Sequence, residues 1–409
     1  MNPLHAGSKP ITQRGKMHTQ TKGIAIFASL LMLASLSNAA AQRATPTPRP
    51  RPTPVARNFQ AGAVYVLTNQ VDNTVAVFNR NAFGMLTPAG EFLTGGAGDP
   101  VPQGTDPATD PLASQGSLIL GHGNQFLFAV NAGSNQISVL RVSIAGLDLI
   151  DIVDSGGIRP ISLALHENLL YVLNEGGTPN ITGFTVGEDG TLTPLAGSTQ
   201  PLIGGTAADP AQVSFNSDGT LLVVTEKAGN RIDTYTIDEN RLPSAPIDNA
   251  SNGMTPFGFA FNNPGFLVVS EAFGGTPNGS AASSYSAAED GTLSVISGSV
   301  PNSQTASCWV VITNNGHLGF VSNTGSGTIS SYGIGSGDGT LSLINSVAGD
   351  TGANSAPIDM ALNNSSHFLY VLAGGLQSVV SFRVEFDGSL TLIDTDGGLP
   401  LGAQGIAAK

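Results

Sequence analysis

Three kinds of hydrophobic pattern recur along this chain in a fixed order. Near-continuous apolar runs appear as FLFAVN ending at Asn131, LLYVLN at Asn174, LLVVTE at Glu226, FLVVSE at Glu271 and HFLYVLA at Ala373. Runs this short with no polar face read as strands covered on both sides. Each is preceded by a small or Pro-led segment, such as PISLAL from Pro160, PAQVSF from Pro210, PFGFAF from Pro256 and PIDMAL from Pro357. Alternating segments follow, ITGFTV, RIDTYTI, TISSYGI and VVSFRV, and most lead into EDGTL at Glu188 and Glu289, GDGTL at Gly337 or FDGSL at Phe386. Asp-Gly is the expected source of the positive φ angles of a tight hairpin, so each unit reads as four antiparallel strands.

Units open near Gln115, Pro160, Pro210, Pro256, Ala306, Pro357 and Gln404, at intervals of 45 to 51 residues. That is the length of a four-stranded propeller blade. The last unit stops at AQGIAA, while the first, VYVLTN to LTPAG (Val64 to Gly90), lacks an opener. The expected fold is therefore an all-β, seven-bladed propeller over 61–409, closed by pairing the strand around Ile406 with the one around Tyr65. Closure of this kind hides two sheet edges that would otherwise invite aggregation.

The termini change the picture in one respect. Lys22 precedes an apolar run from Ile24 to Leu36 and then Ala39, Ala40 and Ala41. This is the pattern of a cleaved signal peptide over 1–41, with Met17 as an alternative start, and the run is too short to span a membrane. RATPTPRPRPTPVARN follows, inside a Pro-rich linker over 42–60 that favours extended polyproline II. The expected location is periplasmic or extracellular. From Asn58 onward, 29 acidic side chains face 8 basic ones, a balance of −21 that disfavours nucleic acid and anionic lipid. A lone Cys308 excludes an internal disulfide. The expected partners are a small molecule or an envelope protein, and the expected state is a monomer.

In a propeller the start of each inner strand and the end of the second strand share one face, the natural ligand mouth. Aligned second-strand ends give Asn69, Ala132, Glu175, Glu226, Glu271, Thr324 and Gly374, with glutamate in three consecutive blades. Carboxylates within about 6 Å would repel by roughly 2 to 3 kcal/mol. A divalent cation, a raised pKa useful in acid/base chemistry, or splaying into water would each answer that. The third positions of the inner strands give Ser117, Ser162, Gln212, Gly258, Cys308, Asp359 and Gly405. Of these Gln212 and Asp359, together with Arg159, are the candidate substrate contacts, whereas Cys308 reads as a small buried thiol. His122, His166, His317 and His367 all fall in the turn after an inner strand, dispersed around the opposite face. No cofactor motif is evident.

The Pro-led openers, YVLNE-type second strands, DGTLT hairpins and C-terminal closing strand together resemble the lactonase-family propellers, typified by 6-phosphogluconolactonase and carboxymuconate-cyclizing enzymes, over about Ala61 to Lys409. PFGFAFNNPGFLVVSEAFGGTPN and ASCWVVITNNGHLGFVSNTGSGTISSY are similar to secreted members. The resemblance implies hydrolysis of a lactone by an Arg-His pair after an inner-strand proline and a glutamate ending the next strand. Here that stretch is Pro210, Ala211, Gln212 and then Glu226, so the glutamate is kept and the basic pair is missing. Two expectations stand side by side. One is an exported hydrolase of an uncharged lactone, with Glu226 as general base and Glu175 or Glu271 polarising or positioning water. The other is a non-catalytic binding propeller of the periplasm or cell envelope.

Overall fold

A computed structural model describes residues 60–101 and 109–409. The expected signal peptide and all of the expected linker except Gln60 lie outside the described residues. Among the described residues, no helix is long and apolar enough to cross a membrane.

Seven antiparallel sheets form the ring, each ordered from inner to outer strand along the chain, except for the first. Blade I takes its inner strand from Gln404–Ala408 and continues with Gly62–Leu67, Thr74–Arg80 and Leu86–Leu93. Tyr65 lies opposite Ala407, and Val66 opposite Ile406, as the sequence requires. Blades II to VII begin with inner strands Leu118–Gly121, Ile158–His166, Pro210–Phe215, Pro256–Phe261, Ser307–Ile312 and Pro357–Leu362. Each has four strands, and in blade III a two-residue strand, Gln200–Pro201, also pairs with Asn180–Val186.

Burial follows the patterning. Second strands such as Phe126–Asn131 and Leu221–Glu226 are buried at every residue, because neighbouring blades cover both faces. Outer strands such as Leu86–Leu93 are mostly exposed. Tyr171, Tyr235, Tyr332 and Tyr370 are fully buried, and each hydroxyl donates to a backbone carbonyl in an adjacent blade or loop, at 3.0 to 3.1 Å. These tyrosines therefore satisfy a buried polar tip while filling the space between sheets.

The hairpins differ from the expectation in one detail. Only the glycine of each Asp-Gly pair has positive φ: Gly190 at 94°, Gly291 at 83°, Gly339 at 69° and Gly388 at 77°. The aspartate instead caps the turn. Asp189 Oδ1 accepts from the Thr191 amide at 3.1 Å and hydroxyl at 2.7 Å, and Asp338 and Asp387 repeat the pattern with Thr340 and Ser389. This explains why Thr or Ser follows Asp-Gly, and those donors hold the carboxylates below their usual pKa.

Candidate functional site

The mouth is built by a repeated backbone device. Asp209, Thr255, Ala306 and Ala356, each immediately before the first paired residue of an inner strand, and Arg159, just before Pro160 near the start of its strand, adopt φ between 44° and 57°. Such non-glycine left-handed residues carry strain of about 1 kcal/mol or more. A backbone bond offsets it in four blades: the amides of Lys227, Ala272, Thr324 and Gly374 donate to the carbonyls of Asp209, Thr255, Ala306 and Ala356 at 2.9 to 3.1 Å. Side chains at both members of these pairs ring the mouth.

Register separates this rim from a second, deeper position. Glu226 pairs with Pro210, Glu271 with Pro256, Asn174 with Pro160, Asn323 with Ser307 and Ala373 with Pro357. Glu175 lies one residue beyond Asn174 and points to the other face, so the three glutamates do not share a height. Glu175, Ala132, Thr324 and Gly374 belong to the rim, and the rim residue of blade IV is Lys227. Glu226 and Glu271 occupy the deeper position and are fully buried. There they anchor the incoming loop from the preceding blade. Glu226 Oε1 accepts from the Gly204 amide at 2.9 Å, and Glu271 Oε1 from the Gly253 amide at 2.8 Å. Ser283 and Ser299 hydroxyls complete the shell of Glu271. Asn69, in blade I, ties the loop at Asp99 to Gly402.

The third-position column is likewise turned sideways, into ties between inner strands. Gln212 is nearly buried and exchanges two hydrogen bonds with the Phe259 backbone of blade V, at 2.7 and 3.0 Å. Asp359 accepts from the amides of Met360 and of Ile406 in blade I at 2.7 and 3.2 Å, and burial pushes its carboxyl well above the usual range. Ser162 donates to the Gln115 carbonyl at 2.5 Å. Neither Gln212 nor Asp359 reaches the mouth cavity. Cys308 is 5% exposed and burial pushes its thiol up to about 12. It is expected to stay silent to Ellman's reagent in the native protein and to titrate as one thiol per chain after denaturation, whereas fast labelling of native protein would show an open thiol.

Sequence patterning did not reveal what fills the centre. Residues 109–116, between the outer strand of blade I and the inner strand of blade II, run through the channel as a strap. Arg159 Nη2 donates to the Pro111 carbonyl at 2.7 Å, Lys227 Nζ to Ala113 at 3.2 Å and Ser114 Oγ to Ile161 at 2.7 Å. Leu112 is buried in the core. The strap leaves a cavity of about 500 Å³ at the mouth of blades II to IV, lined by Asp99, Pro111, Arg159, Glu175, Thr206, Asp209 and the loop glycines Gly176 and Gly177. Within it the Arg159 guanidinium bonds Asp99 Oδ2 at 2.9 Å and also Glu175 Oε2. Lys227 pairs with Asp209 at 3.2 Å and lies 4.9 Å from the centre of the Phe257 ring. Three carboxylates thus face one guanidinium and one largely buried ammonium, a poor receptacle for a phosphorylated ligand.

Among the described residues, no group of three His, Cys, Asp or Glu side chains stands close enough to hold a metal ion. The histidines lie away from the mouth, although His317 and His367 are not dispersed as expected: both line one groove between blades VI and VII on the opposite face. His122 and His166 are half-buried against Phe126 and Phe215 rather than solvated.

The family model of the lactonase seven-bladed β-propellers matches residues 124–274. No protein of curated function matches the sequence. A Bacteroides fragilis structure provisionally named 6-phosphogluconolactonase superposes with a TM-score of 0.65 at 17% identity, covering 87% of this chain and 99% of the other. Its Bacteroides uniformis counterpart gives 0.64 at 17%, covering 84% and 98%. A periplasmic gluconolactonase from Pseudomonas aeruginosa gives 0.61 at 15%, covering 84% and 98%. The resemblance to lactonase propellers read from the blades is borne out.

Proposed function

We propose, from that lactonase-type propeller as premise, that the chain hydrolyses a small uncharged lactone outside the cytoplasm, in the mouth cavity of blades II to IV. The observation that carries this reading is the side-by-side placement of Arg159 and Glu175 in the cavity wall. Arg159 would donate to the lactone carbonyl oxygen, and Glu175, released from its ion pair, would take a proton from water as that water's oxygen bonds to the carbonyl carbon. The ring C–O bond then breaks, the alkoxide recovers the proton from Glu175, and a hydroxy acid leaves. The base role passes from Glu226 to Glu175 because Glu226 is sealed from the cavity. Export rests on the N-terminal sequence pattern, and the acidic lining supports a neutral substrate.

A general base contributes about 10² to 10⁴-fold, and one well-placed oxyanion donor about 10² to 10³-fold. Glucono-δ-lactone and a panel of neutral lactones, followed by pH-stat above the spontaneous rate, should show turnover that falls by about those factors in Glu175→Gln and Arg159→Met. Unchanged turnover in Glu175→Gln would discard this assignment. One observation favours a second reading: the guanidinium already has three acceptors, and no imidazole lines the cavity. A propeller that binds a lactone or envelope partner without turnover would show saturable binding lost in Arg159→Met and no acid release by the wild type.

A further inference from the structure

The third strand of blade IV places Asp233 diagonally across from Glu226 on one sheet face, since Val224 pairs with Asp233 and Glu226 with Arg231. Both carboxyls are fully buried. Each spends one oxygen on the same loop: Asp233 Oδ2 accepts from the Ile203 amide at 2.9 Å, and Glu226 Oε1 from the Gly204 amide at 2.9 Å. The other two oxygens, Glu226 Oε2 and Asp233 Oδ1, are buried with no other donor. Among the described residues no cation pairs with either carboxyl. The one basic side chain beside them, Arg231, turns to Asp248 on the outer strand at 3.4 Å. Tyr235 also stands close, with its hydroxyl committed to the Pro201 carbonyl at 3.1 Å. Two buried carboxylates facing each other without a counter-ion are untenable unless a proton lies between them. Blade V makes the contrast, because there the residue equivalent to Asp233 is Ser283, a hydroxyl that donates to Glu271 directly.

We propose that Asp233 and Glu226 share one proton, and that this proton pins loop 202–209 against blade IV and so sets the wall of the mouth cavity. The loop's short 3-10 turn, Gly205–Ala207, follows the two anchored amides and carries Thr206 and Ala207 into the cavity, with Asp209 just beyond. Glycine at 204 is required for the clamp, since a Cβ there would stand 2.2 Å from Glu226 Oε2. The two acids are positioning residues: they touch the loop and leave the ligand to the rim. Their relevance to lactone hydrolysis rests on the mouth cavity being the site, while the proton-held loop stands apart from that reading.

The direction of the effect follows from linkage. Burial first, and the hydrogen bond that its protonated carboxyl donates to Glu226 second, raise Asp233 above the usual carboxylate range. The folded state therefore holds a proton the unfolded chain would release, and the resulting stability is complete in acid and lost as pH rises through the raised pKa. Asp248 adds a further repulsion in the same direction.

Hydrogen exchange read by mass spectrometry, with rates divided by intrinsic rates, tests this without any substrate. Between about pH 5.5 and about pH 9, protection across 202–209 should fall by at least about tenfold in the wild type. In Asp233→Asn the new amide donates to Glu226 Oε2 while its oxygen still accepts from Ile203, so the loss should vanish. Glu226→Gln, with the roles exchanged, should flatten the profile equally and covers the case in which the first variant folds poorly. Undiminished wild-type protection at high pH would overturn the proposal, as would the same loss in both amide variants. Absence of lactone turnover would leave these exchange results unaffected.

Discussion

Removing residues 404–409 is expected to leave a chain that no longer unfolds cooperatively and that elutes as aggregate. The strand lost is the inner strand of blade I, and its neighbours lose partners on three sides. Val64, Tyr65, Val66 and Leu67 lose their ladder partners. The Ala63 amide loses the Lys409 carbonyl at 3.2 Å, and the Ala63 carbonyl loses the Lys409 amide at 2.9 Å. Asp359, already carrying a burial cost, loses the Ile406 amide. About five backbone bonds at about 1 kcal/mol each, the burial of Ile406, and the uncovering of Val64 and Val66 come to on the order of 10 kcal/mol. That is comparable to the whole stability of a typical domain, roughly 5 to 15 kcal/mol. The open ring also presents Gly62–Leu67 as a fully apolar edge strand, a template for association. Scanning calorimetry and gel filtration give the readout, and Ile406→Asp in the full-length chain should reproduce much of the loss. A truncated protein that melts in one sharp transition as a monomer would mean that the ring does not depend on this seam.

The number of blades and the way the ring closes were legible because they rest on signals the chain repeats: doubly apolar second strands, alternating third strands, and an Asp-Gly turn whose glycine has no substitute. The site was legible only in part, for a reason of register. Side chains along a strand alternate faces, so a shift of one residue exchanges rim for interior. Bulges between Pro160 and Ser162, Pro210 and Gln212, and Pro357 and Asp359 introduce such a shift just where inner strands begin. Glu175 stands one residue past the position paired with its inner-strand proline, whereas Glu226 and Glu271 occupy that position, so Glu175 reaches the cavity while the other two hold loops, although all three stand at the end of similar apolar runs. Arg159 was recognisable beside its proline as a mouth residue. Asp99, Asp209 and Asp233 were not: Asp99 takes its meaning from Arg159, 60 residues on, and Asp209 and Asp233 from Lys227 and Glu226, which only the strand register brings beside them. The strap had no periodicity at all, lying in a Pro- and Asp-rich stretch that reads as ordinary loop.

That strap gives the second large effect. Gln115 lies in blade II's lead-in, yet its side chain reaches blade VI, three places away through the closing seam and four the other way, as far as a seven-membered ring allows. Its Nε2 donates to the Val310 carbonyl at 3.0 Å, and its Oε1 accepts from the Val310 amide at 3.2 Å. Its own backbone amide bonds Ala211 of blade IV at 3.2 Å, and its carbonyl accepts from Ser162 of blade III. One residue thus joins four blades across the channel. Replacing it with alanine leaves the Val310 amide and carbonyl without partners at a buried position, and each such group costs about 1 to 3 kcal/mol. Gln115→Ala should therefore destabilise the protein by about 3 kcal/mol in equilibrium urea unfolding, without a change in slope if the transition stays two-state. Gln115→Glu should do worse, because its carboxylate can accept from the Val310 amide but repels the Val310 carbonyl, and the deficit should ease in acid as the side chain protonates. Gln212→Ala is the fitting comparison: it makes the same pair of bonds to Phe259, but to an adjacent blade whose strands are also held by direct packing. If Gln115→Ala unfolds within about 0.5 kcal/mol of the wild type, the strap merely occupies the channel and the opposed blades are held apart and together by the ring alone.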